Sequence, residues 1–571
     1  MTRVSTLVVA VVAALASPAA TSTVTFDREL AALAALSGEP RLVSAAGVTR
    51  GETPLLTIEN PLPFDPASTK LRLVIVGGLD GDERGVRAAI DAVRWMKRGA
   101  PKTIRDRWIV SALPMADPDG RARAKPMRFP PVKGFYDDPE QPESRYVWRW
   151  VAYQAPDLVL EFRGDFVSGD VREIMDAAPG QSLISALRAG VNGLGTVSAE
   201  VVGASASHGE LSSMLAHVQD RSAVRETIAE RIARSPLAVA QLLASRYPAA
   251  PSISYIPALA WIKTLDLATR TGDAALRATV LAQLQPWLSG EKPLLGDRIQ
   301  LTTVAGTLVF AELAKAAGGH DAARRLAIDG ADAALRQKDR GIPQYGQGWT
   351  DDMFMASAIL ARTAAFEGRA HDLDRAAQIQ IAYAARLQQP DGIFNHATDG
   401  PAAWGRGNGF AAFGLMETLT AMDAARGSRS PATHEAARRA TPVHPSRAAL
   451  LEIFRKQMAG LRKWQAPDGM WREIIDRPGA YREETATAMI LTAMTRGVRR
   501  GWLDRSYAPA ADRAWRALAA HITEDGALVD VCTGTGAGPT ARYYYDRPAI
   551  EGPDDRGGAM ALVAAMERLA R

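Results

Sequence analysis

Two adjacent acids, Asp351 and Asp352, follow Trp349 in the stretch GWTDDMFM, and farther along FNHATDGPAAWGRGNGF sets His396, Trp404 and Arg406 in one glycine-rich run. These residue types suggest a chemistry. A carboxyl group held among apolar side chains keeps its proton towards neutral pH and can deliver it. A guanidinium meets a planar carboxylate with two parallel, charge-assisted bonds. An indole offers a flat face for stacking, an imidazole offers a donor, and Gly405, Gly407 and Gly409 let the backbone come close to a neighbour. The bland alternatives are an N-cap for the acid and a salt bridge for Arg406 in a helix-connecting loop.

Those residues need helices to hold them. From about residue 235 the chain is written in Ala- and Leu-rich amphipathic segments such as 352–366, 375–388 and 485–498, each with apolar positions at helical spacing. RLQQPDGIF is echoed by RKWQAPDGMW and more faintly by TEDGALVD, so an Asp-Gly turn recurs at the ends of helices. Repeated helix, turn, helix units at irregular spacing predict a toroid of helical hairpins. The stretch 426–446, rich in Ser, Pro, Thr and Arg, reads as a long surface loop.

The earlier half has a different grammar. The apolar run LRLVIV (71–76), a helical segment (84–97), RWIVSALP (107–114) and DLVLEF (157–162) follow βαβ order, which predicts an α/β domain with a parallel or mixed sheet. The chain of 571 residues is thus expected to be multidomain, with an α/β unit at 21–234 and an all-α unit at 235–571. Residues 1–20 combine Arg3, an apolar run from Thr6 to Ala16 and small residues beyond it, the pattern of a signal peptide cut between Ser17 and Thr21. Export to a periplasm or the outside is expected, with no membrane association once the signal is removed. Cys532 is the single cysteine, so no disulfide forms within one chain. The formal net charge of +5 suits an acidic substrate, and no basic run interleaved with aromatics points to nucleic acid. GRGNGF and GTGAG lack the Lys-Ser/Thr and the strand-turn-helix setting of a phosphate loop, which argues against nucleotide binding.

Two resemblances sharpen these readings. VIVGGLDGDERG, PMADPDGRAR and PDLVLEFRGD resemble, in order and spacing, the zinc carboxypeptidases, with Asp80 where that family has its first histidine, Glu83 retained, and Arg163 where the last histidine ligand stands. All eight histidines lie at position 208 or later, and a guanidinium repels a dication, so this domain is expected to hold no catalytic zinc. Asp80, Glu83 and Arg163 are expected to form an ion-pair cluster instead, with a relic binding site as the alternative.

GWTDDMFM, FNHATDGPAAWGRGNGF, MWREIIDRPGAYREETATAMI and the segment from VCTGTGAG through DDRGGAMAL resemble the unsaturated glucuronyl and rhamnogalacturonyl hydrolases, glycoside hydrolase families 88 and 105. The resemblance implies an (α/α)6 barrel and removal of a terminal 4,5-unsaturated uronic acid from lyase-generated oligosaccharides by hydration of the C4=C5 bond. It implies Asp351 as acid and base, Arg406 as the clamp on the uronate carboxylate, and Asp297, Trp349, His396 and Trp404 as groups that bind or position the sugar. A raised pKa is expected for Asp351, with Asp297 either lying nearby as a second acid or standing as an exposed acid at a helix start. Glu483 or Glu484 is expected to cap a helix, and Trp471 and Arg472 to border the cavity. Tyr543 to Tyr545 serve either for stacking or for packing. No metal and no organic cofactor is implied. A polysaccharide lyase, with a Tyr or His base, and a noncatalytic carbohydrate-binding protein are the competing readings.

Overall fold

Strands covered by helices on both faces read as near-continuous apolar runs, and three stretches of this chain do so. In the computed structural model, which describes residues 18–36, 43–60, 64–119, 127–131, 142–164, 182–316, 320–339, 341–427 and 443–570, they are β3 (Leu71–Gly77), β4 (Trp108–Leu113) and β5 (Leu158–Arg163). With β1 (Val43–Val48), β2 (Pro54–Ile58) and β6 (Ser198–Gly203) they form a six-stranded sheet of order β1-β2-β4-β3-β5-β6. The β4-β3-β5-β6 portion is parallel, and β1 and β2 add an antiparallel edge. Helix Glu83–Arg94 starts on the Asp82 cap and buries Val86, Ala89, Ile90 and Val93 at helical spacing on one face of this sheet.

The expected ion-pair cluster takes another form. Arg163 pairs with Glu161, two residues back on the same strand, while Asp80 and Glu83 are exposed on the loop and at the helix start. Burial, opposed by Arg163 and reinforced by Asp80, raises the Glu161 carboxyl above its usual value. Residues 1–17 of the expected signal peptide, and most of the expected 426–446 loop, lie outside the described residues.

The second unit is a ring. Among the described residues, six inner helical segments close on one another: Tyr255–Thr271, 301–315, 350–363, Gly405–Gly427, Glu484–Arg499 and Asp555–Leu569. Around them lie Pro236–Ala244, Ala274–Leu288, Asp321–Leu335, His371–Leu387, Arg447–Lys463 and Ala508–Ala520. The recurring Asp-Gly turn has one geometry in three places. Gln389, Ala466 and Thr523 each donate their N–H to the residue four ahead and accept from the glycine three ahead. Gly392, Gly469 and Gly526 take left-handed φ of 101°, 102° and 82°, which a residue with a Cβ adopts only under strain. Among the described residues no helix is long and apolar enough to cross a membrane.

The boundary near residue 235 does not separate two cores. Val74, Val76, Val147, Val151 and Val159 of the α/β unit join one continuous apolar cluster with Trp471, Ile474 and Tyr481 of the ring, whereas Leu73, Ile75, Val86 and Phe162 form a core of their own on the sheet's other face. Gly479 seats against β1 so closely that a Cβ there would lie 2.3 Å from Val48 Cγ1.

Candidate active site

The two acids of GWTDDMFM part company at once, because successive helical residues point about 100° apart. Asp352 is buried and accepts from the Tyr383 hydroxyl at 2.6 Å and the Gly348 N–H at 2.7 Å. Burial, only partly opposed by these bonds, pushes its carboxyl up to about 7. Asp351 keeps 15% of its side chain exposed and lies 3.2 Å from Nε2 of His396. The raised carboxyl therefore sits on Asp352, the acid that faces the packing.

His396 is fully enclosed, with Nδ1 2.9 Å from the Tyr544 hydroxyl. That hydroxyl also accepts the Gly538 N–H at 3.2 Å, and burial pushes it up to about 12. The two ring nitrogens are thus committed to Asp351 and Tyr544 among the described residues. Trp349, tilted over the imidazole at 5.4 Å between ring centroids, is half-buried. Trp404 is 1% exposed, lies against His396 at 4.4 Å, and donates Nε1 to Glu473 at 3.0 Å. Of the two indoles, Trp349 is the one with open surface for stacking.

Arg406, 2% exposed, lies 4.8 Å above the Trp404 ring and donates Nη1 to the Cys532 carbonyl at 2.7 Å and Nη2 to the Thr533 carbonyl at 2.6 Å. Its Nη1 also donates to the Thr485 hydroxyl at 3.4 Å, and among the described residues its Nε–H makes no hydrogen bond. Burial alone would lower its pKa, but the acidic groups packed around it more than offset this and raise it. The flanking glycines serve protein packing: a Cβ on Gly405 would lie 2.3 Å from the Arg472 carbonyl, and one on Gly407 2.5 Å from Thr350 Oγ1.

Beneath Arg406 is a buried acid cluster that no sequence signal assigned to the site. Glu473 accepts from Trp404 and from the Cys532 thiol at 3.2 Å, and burial, then Glu483, pushes it up to about 8. Glu483 accepts from the backbone of Thr485, Ala486 and Cys532, capping helix Glu484–Arg499 as expected of one of the pair. Glu484 is buried with neither oxygen bonded among the described residues, and burial together with Glu483 raises it well above the usual carboxylate range. Trp471 is fully buried, and Arg472 turns away to Ser44 of the α/β unit at 2.7 Å, so neither borders an open cavity.

Asp297 is not part of this cluster. It is exposed in the loop before helix Leu301–Gly306, whose N-cap is Gln300, and it has no hydrogen bond or ion pair to the site among the described residues.

The site therefore combines an accessible acid backed by an imidazole with a fixed guanidinium, inside a ring of inner helices. The chain belongs to Glycosyl Hydrolase Family 88, whose model matches residues 254–571. It is 24% identical over 210 residues to the unsaturated rhamnogalacturonyl hydrolase YesR of Bacillus subtilis (strain 168), a match covering 35% of this chain and 54% of that one. The chain thus spans about half the length of that relative. It is 26% identical over 129 residues to the unsaturated 3S-rhamnoglycuronyl hydrolase of Alteromonas sp. (strain LOR), covering 22% of this chain and 27% of that one. A glycoside hydrolase from family 105 of C. acetobutylicum ATCC 824 superposes with a TM-score of 0.50 at 18% identity, over 58% of this chain and 99% of that one, a likeness of fold.

Proposed function

We propose that this chain removes a terminal 4,5-unsaturated uronic acid from lyase-generated oligosaccharides by hydrating the C4=C5 bond. The observation that carries the reading is the Asp351–His396 pair beside Arg406 in a Family 88 chain. The names of the Bacillus and Alteromonas relatives support the substrate class.

The bond to be hydrated is a vinyl ether. Asp351 in its acid form gives its proton to C4, and positive charge develops at C5, shared with the ring oxygen. The Asp351 carboxylate then takes a proton from a water that bonds to C5. The hemiketal so formed opens by cleaving the C5–O5 bond, which leaves a ketone at C5. O5 becomes a hydroxyl on C1, and that hemiacetal collapses to release the remaining sugar. One carboxyl group suffices where ordinary glycoside hydrolysis needs two.

His396 can serve both protonation states of Asp351. With Tyr544 donating to Nδ1, the Nε2–H donates to the carboxylate. With the proton on Nδ1, Nε2 accepts from the carboxylic acid. Arg406 holds the uronate carboxylate on its Nε edge, and Trp349 flanks the ring. The resemblance of the α/β unit to a zinc carboxypeptidase, and export of the chain through residues 1–20, belong to the same proposal. The experiment is ultraviolet absorbance of the conjugated double bond over time with unsaturated disaccharides. A falling signal supports hydration, and a rising signal on intact polyuronide makes the chain a lyase.

A further inference from the structure

Arg482 and Glu483 are consecutive residues of one short strand, so their side chains leave opposite faces. Glu483 faces the ring, where it receives Cys532 and the start of helix Glu484–Arg499. Arg482 faces the α/β unit. Its Nη2 meets both oxygens of Glu59 at 2.8 and 2.9 Å, its Nη1 donates to the Ala45 carbonyl at 2.8 Å, and its Nε meets Asp468 at 2.9 Å. Glu59 is 1% exposed and is held in turn by the Thr57 hydroxyl at 2.8 Å and Trp150 Nε1 at 3.3 Å. The partner strand repeats the arrangement: Arg472 reaches Ser44, and the next residue, Glu473, takes Trp404 and Cys532.

The second ribbon, Leu528–Cys532 with Ala549–Gly552, is tied to the α/β unit as well. Arg149 pairs with Asp530 at 3.2 Å and with Glu551 at 2.7 Å. Asp530 stands at a break in the register with φ of 66°, and two residues on, Cys532 and Thr533 supply the carbonyls that hold Arg406. Both ribbons that cradle the guanidinium are thus gripped from behind by ion pairs with the other unit, of which Arg482–Glu59 and Arg149–Asp530 are buried.

We propose that the α/β unit aims Arg406, and that Glu59, by clamping Arg482, is a positioning residue for recognition of the uronate carboxylate; this rests on the functional reading above. A shift of Glu59 moves Arg482, and Glu483 with it, and Glu483 carries Cys532. Nothing in this chain of contacts touches Asp351, so the effect falls on binding and spares the proton transfer.

The test uses the full chain and two readouts: KM and kcat for an unsaturated disaccharide by absorbance, and binding of glucuronate against glucose by tryptophan fluorescence. Glu59→Gln keeps shape and removes charge. It is expected to weaken glucuronate binding and raise KM by roughly tenfold, with kcat within about threefold of wild type. Thr57→Val, a milder change beside the same carboxylate, is expected to move both constants the same way by a smaller factor and serves if Glu59→Gln does not fold. A lowered Tm with unchanged KM and unchanged glucuronate affinity in the folded variants would reduce these contacts to interface glue and overturn the proposal. If wild type turns over no disaccharide yet binds glucuronate in a Glu59-dependent way, the hydration reading fails and the positioning role stands. A wild type that binds no glucuronate has no clamp to aim, which overturns it too.

Discussion

Nε2 of His396 lies 3.2 Å from a carboxylate oxygen of Asp351, although the two residues are 45 positions apart in sequence. The contact separates the competing chemistries. In hydration Asp351 carries the proton and His396 orients it, so Asp351→Asn is expected to lower kcat by about 10³-fold and His396→Gln by about 10- to 100-fold. A lyase with a histidine base would reverse that order, and the two variants assayed by absorbance on the same disaccharide decide.

Tyr544→Phe removes a hydroxyl and keeps a ring that is buried in the wall of the site. The loss frees Nδ1 of His396 to hold either tautomer and leaves the Gly538 N–H without its acceptor. A fall in kcat of about tenfold is expected with KM little changed, since the imidazole then holds Asp351 in either tautomer. An unchanged kcat would remove Tyr544 from the proton path.

Arg406→Lys keeps the charge but cannot span two adjacent carbonyls. The Cys532 and Thr533 oxygens would each lose one donor, while Arg556 still reaches the first and the Thr535 hydroxyl the second, both at 3.0 Å, so the loss is about 1 kcal/mol for each bond. The expected outcome is a lowered urea midpoint with unchanged slope, and a KM raised by at least about tenfold from the lost bidentate contact. Equal stability of the variant would mean the carbonyls are not what seats the guanidinium.

Glu473 is a carboxyl raised to about 8, and Asp352 and Asp530 are raised to about 7, in each case by burial above all. The folded chain binds these protons where the unfolded chain has released them, so each group costs stability progressively as pH rises from about 4 to about 8. His521 works in the other direction on the acid side: burial depresses it to about 4, so stability is lost as pH falls from about 6.5 towards 4. Glu473→Gln keeps an acceptor for Trp404 and for the Cys532 thiol without a titrating proton. Its urea stability is expected to match wild type near pH 5 and to exceed it near pH 9, so a parallel decline of the two would refute the assignment.

Local patterns made much of this molecule legible. The apolar runs at 71–76, 107–114 and 157–162 became strands within a residue or so of each end, because strands buried on both faces tolerate little else. The Asp-Gly echoes became three turns of one geometry, since the turn needs a left-handed residue at a fixed place. Trp349, Asp351, His396, Trp404 and Arg406 gather in space, but the sequence could not tell an exposed group from a packed one, so Trp404 and His396 read as sugar contacts. Asp297 carried only a spacing and stays in solvent. Glu473 and Cys532 carried no site signal, and Tyr544 read only as a stacking or packing ring, because what gives them meaning is distance across the ring: Tyr544 meets His396 from 148 residues away, and Glu59 meets Arg482 from 423. No local periodicity encodes such a pairing.

Cys532 is fully buried, bonded to Glu473, and pushed up to about 12, by burial first. Thiolate is the reactive form, so in the closed fold this sulfur is chemically silent. Being the chain's single cysteine, it is also a built-in reporter. The rate at which a disulfide reagent labels native protein counts how often the strand carrying the Arg406 carbonyls lifts away, and a saturating uronate ligand should slow that clock.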